Sequence, residues 1–188
     1  MSNRPILICA TAAAMSLNGL SARAESSRPS HVSDLTSTGF TLQISTHIAA
    51  SPEKVYAALL EPARWWSSDH TYSGNARNLH LDAKAGGCWC ETLPNGGSVQ
   101  HLTVVYVEPG KALRLRGALG PFQGLGVDGA LTWSLKPAAA GTDLSLVYRL
   151  GGYNKEGFAQ LSQAADEVLT EQLDRLKKSI APTSPQSR

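Results

Sequence analysis

The chain has 188 residues, 42% of them apolar, with 17 basic and 15 acidic side chains. That length suits one domain with a sizeable core. A formal charge of +2 gives no electrostatic basis for binding nucleic acid or an anionic membrane.

The first residues, Met1-Ser2-Asn3-Arg4, carry positive charge, and a mostly apolar or small run follows from Ile6 to Leu20. Ala22-Arg23-Ala24 then matches an Ala-x-Ala cleavage site. Asn18 and Gly19 interrupt the run, which leaves it too short for a permanent membrane anchor. Residues 1–24 are therefore expected to be a signal peptide, and the mature protein to be periplasmic or secreted. Removing 24 of 188 residues leaves 164, and losing Arg4 and Arg23 leaves 15 basic residues against 15 acidic. Cys9 leaves with the signal, so only Cys88 and Cys90 remain, in an oxidising compartment.

Residues 25–38 are Ser-rich and aperiodic and read as a flexible linker. Phe40, Leu42, Ile44 and Ile48 alternate with polar residues, the pattern of a half-buried strand. Ser51-Pro52-Glu53 then supplies an N-cap, a first-turn proline and an acid for a short helix. Val55, Tyr56, Leu59 and Leu60 form its inner face, and Pro62 ends it. Strands are expected around Leu79–Ala83, Cys88–Leu93, Val99–Val107, Leu113–Leu115, Leu131–Leu135 and Leu144–Leu150. Pro94-Asn95-Gly96-Gly97 joins two of them, since Asn-Gly favours a type I′ hairpin turn. Short strands joined by tight turns predict an antiparallel sheet.

A long helix is predicted over 157–181. Phe158, Leu161, Ala165, Val168, Leu169, Leu173, Leu176 and Ile180 fall on one stripe. Asp166, Glu167 and Glu171 come before Lys177 and Lys178, which opposes the helix dipole. At ~1.5 Å per residue the helix is about 35 Å long and needs a broad apolar surface to lie on. The order of strand, helices, strands and long helix is α+β. Residues 182–188 are expected to be a disordered tail.

The segment His47 to Trp66, HIAASPEKVYAALLEPARWW, resembles the start of the START-like, or polyketide cyclase-like, superfamily (SRPBCC). Its ending at Pro62, Trp65 and Trp66 is most similar to the branch related to the activator of the heat-shock-protein-90 ATPase. Gly86-Gly87 before a strand, Val107-Glu108-Pro109 before Leu113, and Gly141-Thr142-x-Leu144 fall where that family has similar features. The resemblance spans Thr41 to Ala181 within an expected domain of 39–181. It implies a helix-grip fold, in which a curved antiparallel sheet grips the C-terminal helix around a cavity. Members include lipid carriers, hormone receptors, cyclases and co-chaperones, so the fold does not fix the activity. An export signal argues against the cytosolic co-chaperone role.

Trp65 and Trp66 are adjacent, so one is expected to pack in the core and the other to border a cavity mouth. Trp133, Leu146 and Tyr148 are inward-facing by strand alternation. The loop 119–127 carries Leu119, Phe122 and Leu125, which form a lid or fold back as core. Asp69-His70 reads as a solvated loop, and Tyr148, Tyr153 and Arg149 as strand-end residues able to orient a polar group. Gly124 to Gly129 matches G-x-G-x-x-G literally, but a strand pattern follows where a nucleotide site needs a helix.

Cys88 and Cys90 lie two apart on a strand and so share a face. If Asn95-Gly96 is a two-residue loop, Cys90 pairs with His101. Three readings follow. Cys88, Cys90 and His101 would form a copper or zinc site lacking a fourth ligand. A Cys88–Cys90 disulfide would need a bulge, because alternate Cα atoms in a flat strand stand ~6.5–7 Å apart. Two small buried thiols packing as hydrophobes is the reading preferred.

No catalytic constellation and no cofactor site is specified. The leading functional expectation is an exported protein that holds a small hydrophobic molecule or lipid. Its candidate contacts are Trp65, Trp66, Leu119, Phe122, Trp133, Leu146 and Tyr148. A cyclase- or isomerase-type enzyme using the same cavity, or a protein-interaction module using the 119–125 loop, are the alternatives. No protein partner is identified.

Overall fold

The computed structural model describes residues 30–180. The expected signal peptide, residues 25–29 of the expected linker and the expected tail lie outside the described residues.

Eight strands form one open, curved antiparallel sheet in the order β1-β2-β8-β7-β6-β5-β4-β3. They are β1 (Val32–Ser33), β2 (Gly39–Ile48), β3 (Leu79–Leu81), β4 (Cys88–Thr92), β5 (Ser98–Glu108), β6 (Ala112–Arg116), β7 (Gly126–Ala138) and β8 (Gly141–Tyr153). Helix α1 (Pro52–Leu59) follows β2, and the long helix α2 (Ala159–Ile180) follows β8. This is the helix-grip arrangement that the resemblance implies. Among the described residues, no helix is long and apolar enough to cross a membrane.

Local chemistry accounts for most of the element ends. Ser51 Oγ accepts the Lys54 N–H at 3.4 Å and so caps α1, with Pro52 in the first turn. In β2, Phe40, Leu42, Ile44 and Ile48 are buried as alternation requires. The turn from β7 to β8 ends at Gly141, at φ +150, where any Cβ would run into the Ile48 carbonyl. The next residue, Thr142, is fully buried and donates from Oγ1 to the Ala50 carbonyl at 2.7 Å. Gly141-Thr142 therefore locks the β2–α1 corner onto the sheet.

Helix α2 buries Ala165, Leu169, Leu173, Leu176 and Ile180, and Phe158 packs just ahead of it. Its polar side chains also tie it down. Gln172 is fully buried and accepts the Ser67 N–H at 2.8 Å, and Arg175 Nε donates to the Trp65 carbonyl at 2.8 Å.

The structure corrects the linker. Ser30 to Ser33 is anchored, with Val32 pairing with Leu42 to form β1. Two residues carry no readable period, and the anchor is a side chain distant in sequence. Asp166 on α2 accepts the His31 backbone N–H at 2.8 Å and bonds His31 Nδ1 at 2.7 Å.

The hairpin register also differs. Asn95 and Gly96 both take positive φ, as a type I′ turn requires. Pro94, however, has no N–H to give the Gly97 carbonyl. The Leu93 N–H takes that carbonyl instead, at 2.9 Å, and β4 and β5 pair one residue out of phase, with Cys90 opposite Gln100. A bulge between Trp89 and Cys90 then restores the pairing of Trp89 with Leu102 and leaves His101 as the extra residue. His101 and Leu102 are consequently both buried.

Opposite the bulge, the Cys88 and Cys90 Cα atoms stand 5.5 Å apart, and the two sulfurs are bonded. The preferred reading of two free buried thiols is corrected: the cysteines are half-buried and form a disulfide. The metal set of Cys88, Cys90 and His101 is corrected too. His101 points to the opposite side of the sheet, against Glu91, and His80 is the histidine beside the sulfurs.

Candidate functional site

All four tryptophans of the chain meet in one cluster under the sheet's β4 side. Trp66 and Trp89 pack edge to face with centroids 4.9 Å apart, and Trp65 stands 5.6 Å from Trp66 and 6.3 Å from Trp133. Both Trp65 and Trp66 are buried, Trp65 in the closed core and Trp66 on the lining of a neighbouring cavity. The turn Pro62–Arg64 is a 3-10 turn, and it directs consecutive side chains into the same layer. Trp65 Nε1 donates to the Ala58 carbonyl at 3.1 Å and Trp66 Nε1 to the His70 carbonyl at 2.8 Å.

Beside this cluster lies a cavity of about 350 Å³ between α2 and the concave sheet. One wall is α2, through Leu161, Ala164, Ala165, Val168 and Leu169. The second is the segment Leu119 to Phe122, and the third is Trp66, Leu79 and Trp89. The rim comprises Asp69, His70, Thr71 and Tyr72, and His101 and Tyr148 supply polar groups.

Of the residues proposed from sequence, Trp66, Leu119, Phe122 and Tyr148 line this cavity. Trp133 and Leu146 face inward as alternation requires, opposite one another on β7 and β8, but with Trp65 they lie in the closed core rather than on the lining. Asp69 and His70 are exposed at the rim, and His70 Nε2 approaches Glu171 at 3.2 Å. Tyr153 is 73% exposed and Arg149 is also exposed; neither reaches the lining.

The loop after β6 folds back as a wall. Phe122 is buried, and Leu119 and Leu125 are half-buried. Tyr148 holds it: its hydroxyl donates to the Gly117 carbonyl and accepts the Leu119 N–H, both at 3.1 Å. Burial pushes the Tyr148 hydroxyl well above its ordinary pKa, so it stays a neutral clasp. At the rim, Tyr72 donates to the Gly120 carbonyl at 2.8 Å.

The strongest polar feature was not assembled by sequence reasoning. Glu91 is fully buried, and its carboxylate accepts the Tyr72 N–H at 3.1 Å, the Ser73 N–H at 2.5 Å and His101 Nε2 at 2.9 Å. Burial acts to raise the Glu91 pKa, but the hydrogen bonds from Ser73, Tyr72 and His101 outweigh it and hold the carboxyl low. Burial lowers the His101 pKa, and Glu91 offsets only part of that. The pair is therefore an ionised carboxylate and a neutral imidazole, with Nε2–H facing Glu91 and Nδ1 left as an acceptor. Nδ1 makes no hydrogen bond among the described residues. The readable signal was period two: if Cys88 and Cys90 face out, Trp89 and Glu91 face in, and a carboxylate there needs partners.

The model for polyketide cyclase / dehydrase and lipid transport matches residues 39–181. The chain belongs to that family. Solved structures agree on the fold. A protein from Mesorhizobium loti superposes with a TM-score of 0.55 at 20% identity, covering 74% of this chain and 96% of that one. One from Chromobacterium violaceum gives 0.54 at 22%, covering 76% and 98%. CalU16 from Micromonospora echinospora gives 0.53 at 19%, covering 77% and 78%. No curated protein matches the chain. The similarity to the heat-shock-protein-90 activator branch rests on the Pro62–Trp66 motif alone.

Proposed function

We propose that this family member is an exported protein that holds a small apolar or amphipathic molecule between α2 and the concave sheet. The observation that carries this is the cavity of about 350 Å³, walled by aliphatic and aromatic side chains with sparse polar groups at one side. Binding sites for small molecules have this composition, and this volume is at the small end of their range of about 300–1,000 Å³. The size suits a single compact skeleton better than a two-chain lipid. Two polar contacts are on offer. His101 Nδ1 suits a ligand hydroxyl, and the Trp89 indole N–H, buried without a partner among the described residues, suits an acceptor.

The test is direct. Native protein is titrated with an apolar fluorescent dye while tryptophan emission is followed, and small molecules extracted from purified protein are identified by mass spectrometry. Saturable dye binding with quenching, reversed by the extracted compound, supports the reading. If no apolar probe binds the folded protein, the carrier reading is wrong. Export is tested separately. Intact mass of envelope protein is expected to place Glu25 first, and full-length protein in the cytosol would refute it.

A second reading is favoured by Glu91 and His101. A buried neutral imidazole oriented by a carboxylate, with a free nitrogen beside an apolar cavity, is a general base in waiting. On this reading the protein is a cyclase- or isomerase-type enzyme and His101 Nδ1 takes a proton from bound substrate. His101→Gln separates the two readings: retained binding with lost turnover supports the enzyme, and equal turnover excludes it.

A further inference from the structure

A second cluster sits on the opposite side of the sheet, at its β3 edge. Leu79 is buried and His80 is exposed, so alternation turns His80 away from the cavity. His80 and Cys90 are cross-strand neighbours, and Cys88 shares their side. Cys88 Sγ lies 4.0 Å from His80 Nε2. The three potential ligand atoms, one from each of His80, Cys88 and Cys90, all lie within 4.8 Å of one another. Among the described residues no carboxylate or further histidine joins them.

We propose that reduction of the Cys88–Cys90 disulfide converts this cluster into a three-coordinate Cu(I) site of two thiolates and His80 Nε2. With metal–sulfur and metal–nitrogen bonds of about 2.3 and 2.0 Å, trigonal donors stand about 3.7–4.0 Å apart. The nitrogen of His80 is already at that distance from Cys88. The sulfurs must separate, and Cys90 Sγ, within 4.8 Å of the His80 ligand nitrogen, must settle at the same spacing; side-chain rotation on a half-buried outer face allows both. The donor set selects the ion. Thiolates and imidazole suit Cu(I), whereas structural zinc takes four ligands.

The chemistry balances. A dithiol reductant gives up two electrons and two protons and becomes its own disulfide, while the Cys88–Cys90 sulfur–sulfur bond breaks to two thiols. Cu(I) then displaces both thiol protons to solvent without changing its oxidation state. In the oxidised protein neither sulfur carries the charge a metal needs, so the disulfide closes the site.

The experiment uses the full chain, reduced under nitrogen, freed of reductant and titrated with Cu(I) against a chromophoric Cu(I) chelator. One equivalent is expected to bind, with thiolate-to-copper absorption in the near ultraviolet, and the oxidised protein should bind none. His80→Ala should weaken retention by at least about tenfold. Cys90→Ser should abolish it. Apolar dye binding should persist in both variants and serves as the folding control. The proposal is overturned if reduced protein retains no copper. It is equally overturned if His80→Ala binds as tightly as the unaltered chain, or if the reduced chain takes Zn(II) in preference to Cu(I). Dye binding reports on the cavity separately, so failure at one site leaves the other intact.

Discussion

Glu91 Oε2 lies 2.9 Å from His101 Nε2, and neither side chain is more than 6% exposed. The two residues sit on adjacent strands, and a bulge brings them to the same side. Breaking such a buried pair is costly because the surviving group loses its partner. Glu91→Gln also turns an amide N–H toward backbone donors from Tyr72 or Ser73. A loss of about 1–3 kcal/mol in unfolding free energy is expected, because buried donors lose their acceptor, read from urea denaturation. A loss below about 0.5 kcal/mol would mean that the carboxylate is not organising the rim.

The same pair makes stability depend on pH, and the signs agree. Burial lowers the His101 pKa, so on acidification the unfolded chain takes up this proton before the folded one. The Glu91 pKa is also depressed, because its hydrogen bonds outweigh burial. Each contribution is present above the unfolded value and is lost as pH falls through the folded one. Stability should therefore decline from the ordinary histidine range, about 6.5, into the carboxylate range, about 4.3. His101→Gln should flatten the upper part and leave the lower part. Urea midpoints at pH 7.5, 6 and 5 decide, and parallel curves for the two proteins would reject the assignment.

The fold was legible wherever burial is periodic. The stripe on α2, the alternation in β2 and β8 and the cap at Ser51 each report a repeating environment, and sequence records repeats well. The site was legible only in pieces. Alternation and composition point to Tyr148 and Phe122 as ligand contacts, but the role of the Tyr148 hydroxyl as a clasp depends on a loop that the strand pattern does not place. The turn motif alone places His101 on the wrong side of the sheet, because one missing N–H, at Pro94, shifts the register. The strap at His31 rests on a bond across 135 residues to Asp166, for which the linker has no local signal.

Tyr148→Phe keeps the buried ring and removes both hydrogen bonds to the 117–119 segment. A cost of about 1–3 kcal/mol is expected, since a carbonyl and an N–H lose their partner. The loop wall should also loosen. Limited proteolysis is expected to cut between Gly117 and Gln123 faster than in the unaltered chain, and unchanged stability with unchanged cleavage would show that the clasp is dispensable.

Val168 is half-buried on the face of α2 that lines the cavity. Val168→Trp directs an indole into open volume rather than into packed core. Apolar dye affinity should fall by at least tenfold, about 1.4 kcal/mol. The melting temperature should shift by only a few degrees, about what 1 kcal/mol produces in a domain of this size. Undiminished dye binding would place the dye elsewhere and remove the cavity as the binding site.

Asp166 on α2 accepts from the His31 backbone N–H and from Thr170 Oγ1, and bonds His31 Nδ1. Burial acts to raise its pKa, but the bonds from His31 and Thr170 outweigh it and hold the carboxyl low. This one carboxylate is what ties β1 down, since β1 has only two residues with which to pair. Asp166→Ala should therefore release the strap without unfolding the sheet. Amide exchange is the discriminating measurement. Protection at Val32 and Gln43, whose N–H bonds the His31 carbonyl at 3.0 Å, should drop selectively, while that of β7 and β8 should persist. A depressed carboxyl contributes stability above its unfolded pKa and loses it as pH falls through the folded value. Acidification of the unaltered chain through the carboxylate range should thus reproduce the variant's exchange pattern at β1. If Asp166→Ala leaves β1 protected at neutral pH, the strap is held by strand pairing alone.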